Sequence, residues 1–277
     1  MSLTAVSGML VAGGWVARHV STSTVRRWRR STAPTVMAGR LRTRVVGDGA
    51  PAIVLLHGIV GCGDYFGASY DTLADGRRLV VPDLLGFGDS YRSASPSGYG
   101  LDAHLDALDE MATALQLTGP LTIAGHSLGA VLALHWAARR HTQVQRVVAM
   151  SAPLYLSSTE GFAHISELGW LAAMMARDTP VSRTTCTWMC RYRNTASWLA
   201  VGLNPHLPVA VARRGVLHTW PAYQGTMQLA GQYPTVTSVS HPTADHDLPL
   251  AEPAWCQLLL GTALAQRRPQ RLESVPG

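Results

Sequence analysis

From about residue 40 the chain falls into short apolar runs separated by stretches of helical periodicity. "AIVLLHG" (52–58) is a continuous apolar run closed by glycine, the pattern of a strand buried on both faces. "RRLVVPD" (77–83) and "LTIAGHS" (121–127) repeat that form, and "VQRVVAMSAP" (144–153) supplies another. "RLRTRVVG" (40–47) alternates instead and predicts a strand that Asp48-Gly49 turns back as a hairpin. Between the runs, "LDAHLDALDEMATALQL" (101–117) places Leu101, Leu105, Leu108, Met111 and Leu115 on one helical face. "LGAVLALHWAARRH" (128–141) reads as a second, mostly apolar helix. Strands alternating with helices predict an α/β fold, a mostly parallel sheet covered by helices on both faces.

After Pro153 the pattern changes. Residues 154–212 are helix-like, rich in Trp and Met, punctuated by Pro180, Pro205 and Pro208 and interrupted by no strand-like run. An all-helical insertion in an α/β chain reads as a lid. A helical pattern resumes over 213–230. One further strand, "PTVTSVS" (234–240), and a last helix, "AWCQLLLGTALAQ" (254–266), then close the domain. The expected organisation is a basic extension (1–40), a core (41–153 and 213–265), a helical lid (154–212) and a flexible tail (266–277).

The chain has 277 residues, of which 47% are hydrophobic and 14% charged, which excludes a disordered protein. All 23 basic residues are Arg, and residues 1–47 hold eight of them with no acid. Such an arm can meet nucleic acid or an anionic membrane. Its Arg are not interleaved with stacking aromatics on a recognisable module, so no nucleic-acid partner is expected. The expectation is a solvated surface, with membrane contact through the arm as the alternative. "LTAVSGMLVAGGWVA" (3–17) lacks a basic residue ahead of it, is broken by glycines, and is shorter than the roughly 20 residues of a spanning helix. A cytoplasmic chain is expected. Cys62, Cys186, Cys190 and Cys256 form no disulfide framework. Cys186 and Cys190 share a helix face, but no further ligand stands at metal-site spacing, so they read as small buried hydrophobes.

"GHSLG" (125–129) sets Ser127 between two glycines, behind a strand-like run and ahead of a helix. That is the G-x-S-x-G nucleophile elbow in its structural context. A turn so tight admits only minimal side chains beside it and lifts the serine to the carboxyl end of its strand, at the free N–H groups of the next helix.

Four stretches in order resemble the α/β-hydrolase superfamily, in its branch with a helical lid after the sixth strand. These are "LLHG" (55–58), "VVPDLLGFGDS" (80–90), "GHSLGA" (125–130) and "ADHDLPLAEP" (244–253). The resemblance spans about 41–265 and implies Ser127 as nucleophile. It also implies His246 as base, with His241 as its rival, and the backbone N–H groups of Ile59 and Leu128 as oxyanion hole. His57 and Asp83 then organise loops. No metal or organic cofactor is implied.

The resemblance breaks at the acid. A Ser–His pair normally works with a carboxylate that orients the imidazole. The family carries it after the seventh strand, yet residues 179–244 contain no Asp or Glu, and the seventh strand itself is missing from the pattern. Asp245, Asp178, Glu160 and Glu167 are the available substitutes, and the catalytic acid is left unassigned. Three outcomes stay open: a relocated acid, a Ser–His dyad, or an inactive hydrolase shell serving binding or scaffolding. The leading expectation is an esterase-like serine hydrolase acting on a small apolar acyl substrate. Trp170, Trp188, Trp198, Met174, Met175 and Met189 would wall its site. Oligomeric state is not legible.

Overall fold

The computed structural model describes residues 23–153, 158–167, 170–203, 206–215, 218, 220–227, 248–251, 253–257 and 260. Its centre is a six-stranded sheet of order β1-β2-β4-β3-β5-β6. The strands are β1 (Thr35–Ala38), β2 (Leu41–Val46), β3 (Ala52–Leu56), β4 (Arg78–Pro82), β5 (Leu121–His126) and β6 (Val144–Met150). β3 runs parallel to β4 and β5, and β5 parallel to β6, whereas β2 is antiparallel to both β1 and β4.

The hairpin at the start of the sheet is not where Asp48-Gly49 predicts it. β1 and β2 pair around Gly39 and Arg40, with Ala38 opposite Leu41 and Gly39 in the left-handed region at φ 58°. The sheet therefore begins inside the stretch read as an extension. Asp48-Gly49 leads instead across the sheet, because β3 pairs with β4 and β5 rather than with β2. Gly47 makes that crossing possible at φ 69°, where a Cβ would lie 2.3 Å from the Arg77 carbonyl oxygen.

The apolar runs at β3, β4 and β5 are buried on both faces, as expected, whereas the run at β6 is mostly half-buried. Alternation along β3 sends Val54 and Leu56 to one core and Ile53 and Leu55 to the other. The first core is closed by α2 (Leu101–Ala114), through Leu105, Leu108 and Met111, and by α3 (Leu128–Arg139), through Leu132 and Trp136. Trp136 is fully buried, and its indole N–H donates to Asp109 of α2 at 2.9 Å, fixing one helix against the other. The second core holds Phe66, Tyr70 and Leu79, with Cys256 and Leu260 from the helical residues near the chain's end.

The short α1 (Ser23–Arg27) precedes the sheet. Helices α4 (Ser158–Glu167), α5 (Trp170–Met175), α6 (Pro180–Arg191), α7 (Arg193–Leu203), α8 (Val209–Gly215) and α9 (Trp220–Met227) follow β6, and α10 (Leu248–Ala251) comes before the helical residues 253–257 and 260. Pro180 starts α6, where a missing N–H costs nothing, and the Thr179 side chain caps that helix by accepting from the Ser182 N–H. The strand-like run 234–240 lies outside the described residues. Among the described residues no helix is long and apolar enough to cross a membrane.

The basic segment is less solvated than its sequence suggests. Arg30 pairs with Asp64, Arg40 with Glu110, Arg42 with Asp83 and Asp89, and Arg44 with Asp71. The acids that balance it lie far along the chain, which is why the excess looked uncompensated.

Candidate active site

β5 delivers Ser127 to the carboxyl edge of the sheet, and α3 starts immediately after it. Ser127 sits at φ 51°, ψ −121°, a strained conformation for a residue with a Cβ. It is held there from both sides: its N–H donates to the Met150 carbonyl at 2.8 Å, and its own carbonyl accepts from the Ala130 N–H at 2.9 Å. The flanking glycines are obligatory. A Cβ on Gly125 would stand 2.1 Å from the Gly129 carbonyl oxygen, and one on Gly129 would stand 2.2 Å from that of Leu56. The Ser127 hydroxyl makes no capping bond to α3 and is left for other work. Val60 (φ 57°) and Ser151 (φ 48°), also non-glycine residues with positive φ, follow β3 and β6 at the same edge. Strain gathers where an open α/β sheet places its ligands.

The turn after β3 lies against Ser127. A Cβ on Gly58 would come within 3.1 Å of the Ser127 Cβ. Ile59 follows Gly58, and the Leu128 N–H belongs to the first turn of α3, whose donors have no intrahelical acceptor. Both expected oxyanion donors thus belong to segments that adjoin the serine. His57 organises this turn. Its Nδ1 donates to the Gly58 carbonyl at 2.7 Å, and its Nε2 accepts from the Leu84 N–H at 2.8 Å. Those two bonds settle the tautomer, and burial holds the imidazole neutral by lowering its pKa to about 4. The ring of His126 leaves the elbow another way, stacked on Tyr65 at 4.9 Å.

Asp83 organises the loop after β4. Its carboxylate accepts the N–H groups of Gly63 and Asp89, at 2.7 and 3.1 Å. Its carbonyl accepts the Ser90 hydroxyl at 2.7 Å. Gly88 lets this close, since a Cβ there would stand 2.3 Å from an Asp83 oxygen. Arg214 of α8 completes the cluster. Its guanidinium reaches Asp64 and Asp83 at 2.6 Å and Asp89 at 2.9 Å. Sequence reading missed Arg214, because its partners are 125 to 150 residues away.

His246, its rival His241 and Asp245 lie outside the described residues. Of the other candidate acids, Asp178 is exposed and accepts from Arg183 at 2.7 and 2.9 Å and from Gln224 at 2.7 Å. Glu167 pairs with His164 at 3.2 Å on the surface of α4. Glu160 is half-buried in the first turn of the same helix. The expected apolar wall divides. Met175 is buried in a cluster with Cys186 and Tyr223 against Ile59 and Val60, and Met174 joins it. Trp188 and Trp198 are 38% and 42% exposed and stand outside that cluster.

The alpha/beta hydrolase fold family matches residues 51–186, from β3 through the elbow into α6. Over 169 residues the chain is 31% identical to the cis-3-alkyl-4-alkyloxetan-2-one decarboxylase of Xanthomonas campestris pv. campestris, covering 58% of this chain and 53% of that protein. Over 110 residues it is 32% identical to Lipase 3 of Moraxella sp., covering 40% of this chain and 32% of that one. The chain spans about half the length of the first of these relatives and a third of the second. Among solved structures, E-2-(acetamidomethylene)succinate hydrolase superposes with a TM-score of 0.62 at 18% identity, covering 84% of this chain and 99% of that one. Sheet order, elbow and matched segment agree: the chain belongs to the α/β-hydrolase superfamily.

Proposed function

We propose that the chain is a serine hydrolase cleaving a small, apolar ester or related acyl compound. The observation that carries this reading is Ser127. A strained, doubly anchored serine with an uncommitted hydroxyl stands at the sheet's carboxyl edge, against the Gly58–Ile59 turn and the start of α3. Ser127 Oγ attacks the acyl carbon while His246 takes its proton and returns it to the leaving group. The Ile59 and Leu128 N–H groups hold the oxyanion, and water then releases the acyl group. Helices α4–α8 serve as a lid, with Met174 and Met175 its apolar lining beside Ile59. The relative named as a lipase supports ester chemistry, and the one named as a decarboxylase supports only an ester-like ligand, since an oxetan-2-one is a cyclic ester.

A second reading, an impaired or inactive shell used for binding, is favoured by the acids. Asp178 and Glu167 are committed to surface partners, and residues 179–244 contain no carboxylate. Loss of the acid alone lowers turnover about 10⁴-fold in a comparable triad. A fluorophosphonate probe and short p-nitrophenyl esters separate the readings. The hydrolase reading expects labelling and turnover in the native chain, both lost in Ser127→Ala and strongly reduced in His246→Ala. Background turnover alone, with no labelling of the folded native chain, would establish the shell.

A further inference from the structure

A second convergence of reactive side chains lies outside the serine site. Cys186 and Cys190 stand one turn apart on α6, and the chain between α8 and α9 brings His218 to them. One donor atom from each of the three lies within 4.8 Å of the other two, with Cys186 and His218 buried and Cys190 half-buried. The imidazole is already oriented. Its Nδ1 donates to the Gly215 carbonyl at 3.1 Å, so Nε2 carries the lone pair. The ring is also held between Phe87 and Tyr223, at 5.6 and 5.7 Å. A backbone carbonyl on one ring nitrogen is the usual outer support of a metal-binding histidine.

Two sulfurs and one imidazole are a soft donor set that suits Zn²⁺ rather than Mg²⁺ or Ca²⁺. With Zn–S near 2.3 Å and Zn–N near 2.1 Å, tetrahedral geometry sets donors about 3.5–3.8 Å apart. Donors already within 4.8 Å reach that by small side-chain rotations. Two thiolates also balance the charge of one divalent ion in a low-dielectric setting, where a lone cation would be costly.

We infer that Cys186, Cys190 and His218 form a zinc site joining α6 to the α8–α9 connection beside the Ile59–Val60 turn. Binding converts two thiols to thiolates and releases their two protons to solvent, and the fourth position is taken by water. The Cys190 thiol gives up its contact with the His218 carbonyl in doing so. The ion ties α6 to the α8–α9 connection, and the inference stands whether or not Ser127 is a nucleophile.

The test uses the full chain, purified under reducing conditions and titrated with Co²⁺ and then Zn²⁺. One Co²⁺ per chain should bind with sulfur-to-cobalt charge-transfer absorption and tetrahedral d–d bands, and Zn²⁺ should displace it. Cys186→Ser, Cys190→Ser and His218→Ala should each weaken binding by at least the roughly ten- to hundredfold that loss of an outer support costs. Cys62→Ser should leave it unchanged. Because a variant could misfold, thiol alkylation mapped by mass spectrometry on the native chain serves as the second readout. Zn²⁺ should protect Cys186 and Cys190 together. The inference fails if no thiolate band appears, if the band survives in the Cys186→Ser/Cys190→Ser chain, or if Zn²⁺ protects neither thiol.

Discussion

At Gly125 and Gly129 the obstacle to a side chain is backbone, which cannot swing aside. A methyl group on Gly125 meets the Gly129 carbonyl oxygen at 2.1 Å and one on Gly129 meets that of Leu56 at 2.2 Å, so α3 must move away from β5 or from β3 to admit it. Gly125→Ala and Gly129→Ala should each cost about 1–3 kcal/mol. Each should also displace Ser127, lowering the rate of fluorophosphonate labelling more than the melting temperature alone would suggest. Gly119→Ala, with no atom near its Cβ, is the matched control and should change neither. At this scale much of the site was legible. The small–x–Ser–x–small spacing is a local steric demand, and sequence states local demands directly. His57 was legible as a turn organiser for the same reason, since both of its hydrogen-bond partners belong to motif segments. Its tautomer was not, because that depends on the Leu84 N–H arriving from another strand's loop.

Between elements the legibility falls. Continuous apolar runs announced β3, β4 and β5, because burial on both faces leaves no polar alternation to misread. The hairpin at β1–β2 was misplaced, because Gly39-Arg40 is a weaker turn signal than Asp48-Gly49 and strand neighbours are a tertiary outcome. The tie from α8 to the core was invisible for a similar reason. Arg214 is 11% exposed at its side chain and shared by three carboxylates, two of them nearly buried. Removing it strands those charges. Arg214→Leu should therefore destabilise the fold by about 3 kcal/mol, the low end of the range for a broken buried pair. The low end applies because Asp64 keeps Arg30 and Asp83 keeps Arg42 and two N–H donors. Urea unfolding would measure the loss. Limited proteolysis within 176–227 should accelerate as α8 comes free of the loop after β4, and unchanged cleavage would show that the cluster does not hold the helices down.

For the molecule as a whole, three imidazoles inside the fold couple its stability to pH. Burial lowers the pKa of His57 and of His218 to about 4 and that of His104, on α2, to about 3, against an ordinary value of 6.5. Between roughly pH 6.5 and 4 the unfolded chain binds protons at all three positions and the folded chain binds none. Stability then rises with pH, by up to about 1.4 kcal/mol per pH unit for each histidine. The contribution is fully present above the unfolded value and is lost as pH falls through the window. The urea midpoint should drop clearly between pH 7 and pH 5. His104→Gln, which cannot titrate, should remove about a third of that slope whatever it does to stability at pH 7. A midpoint that ignores pH over this range would mean the three rings are already protonated or already reached by water. Either outcome would contradict the closed packing around His57 on which the Gly58–Ile59 turn, and with it the proposed oxyanion site, depends.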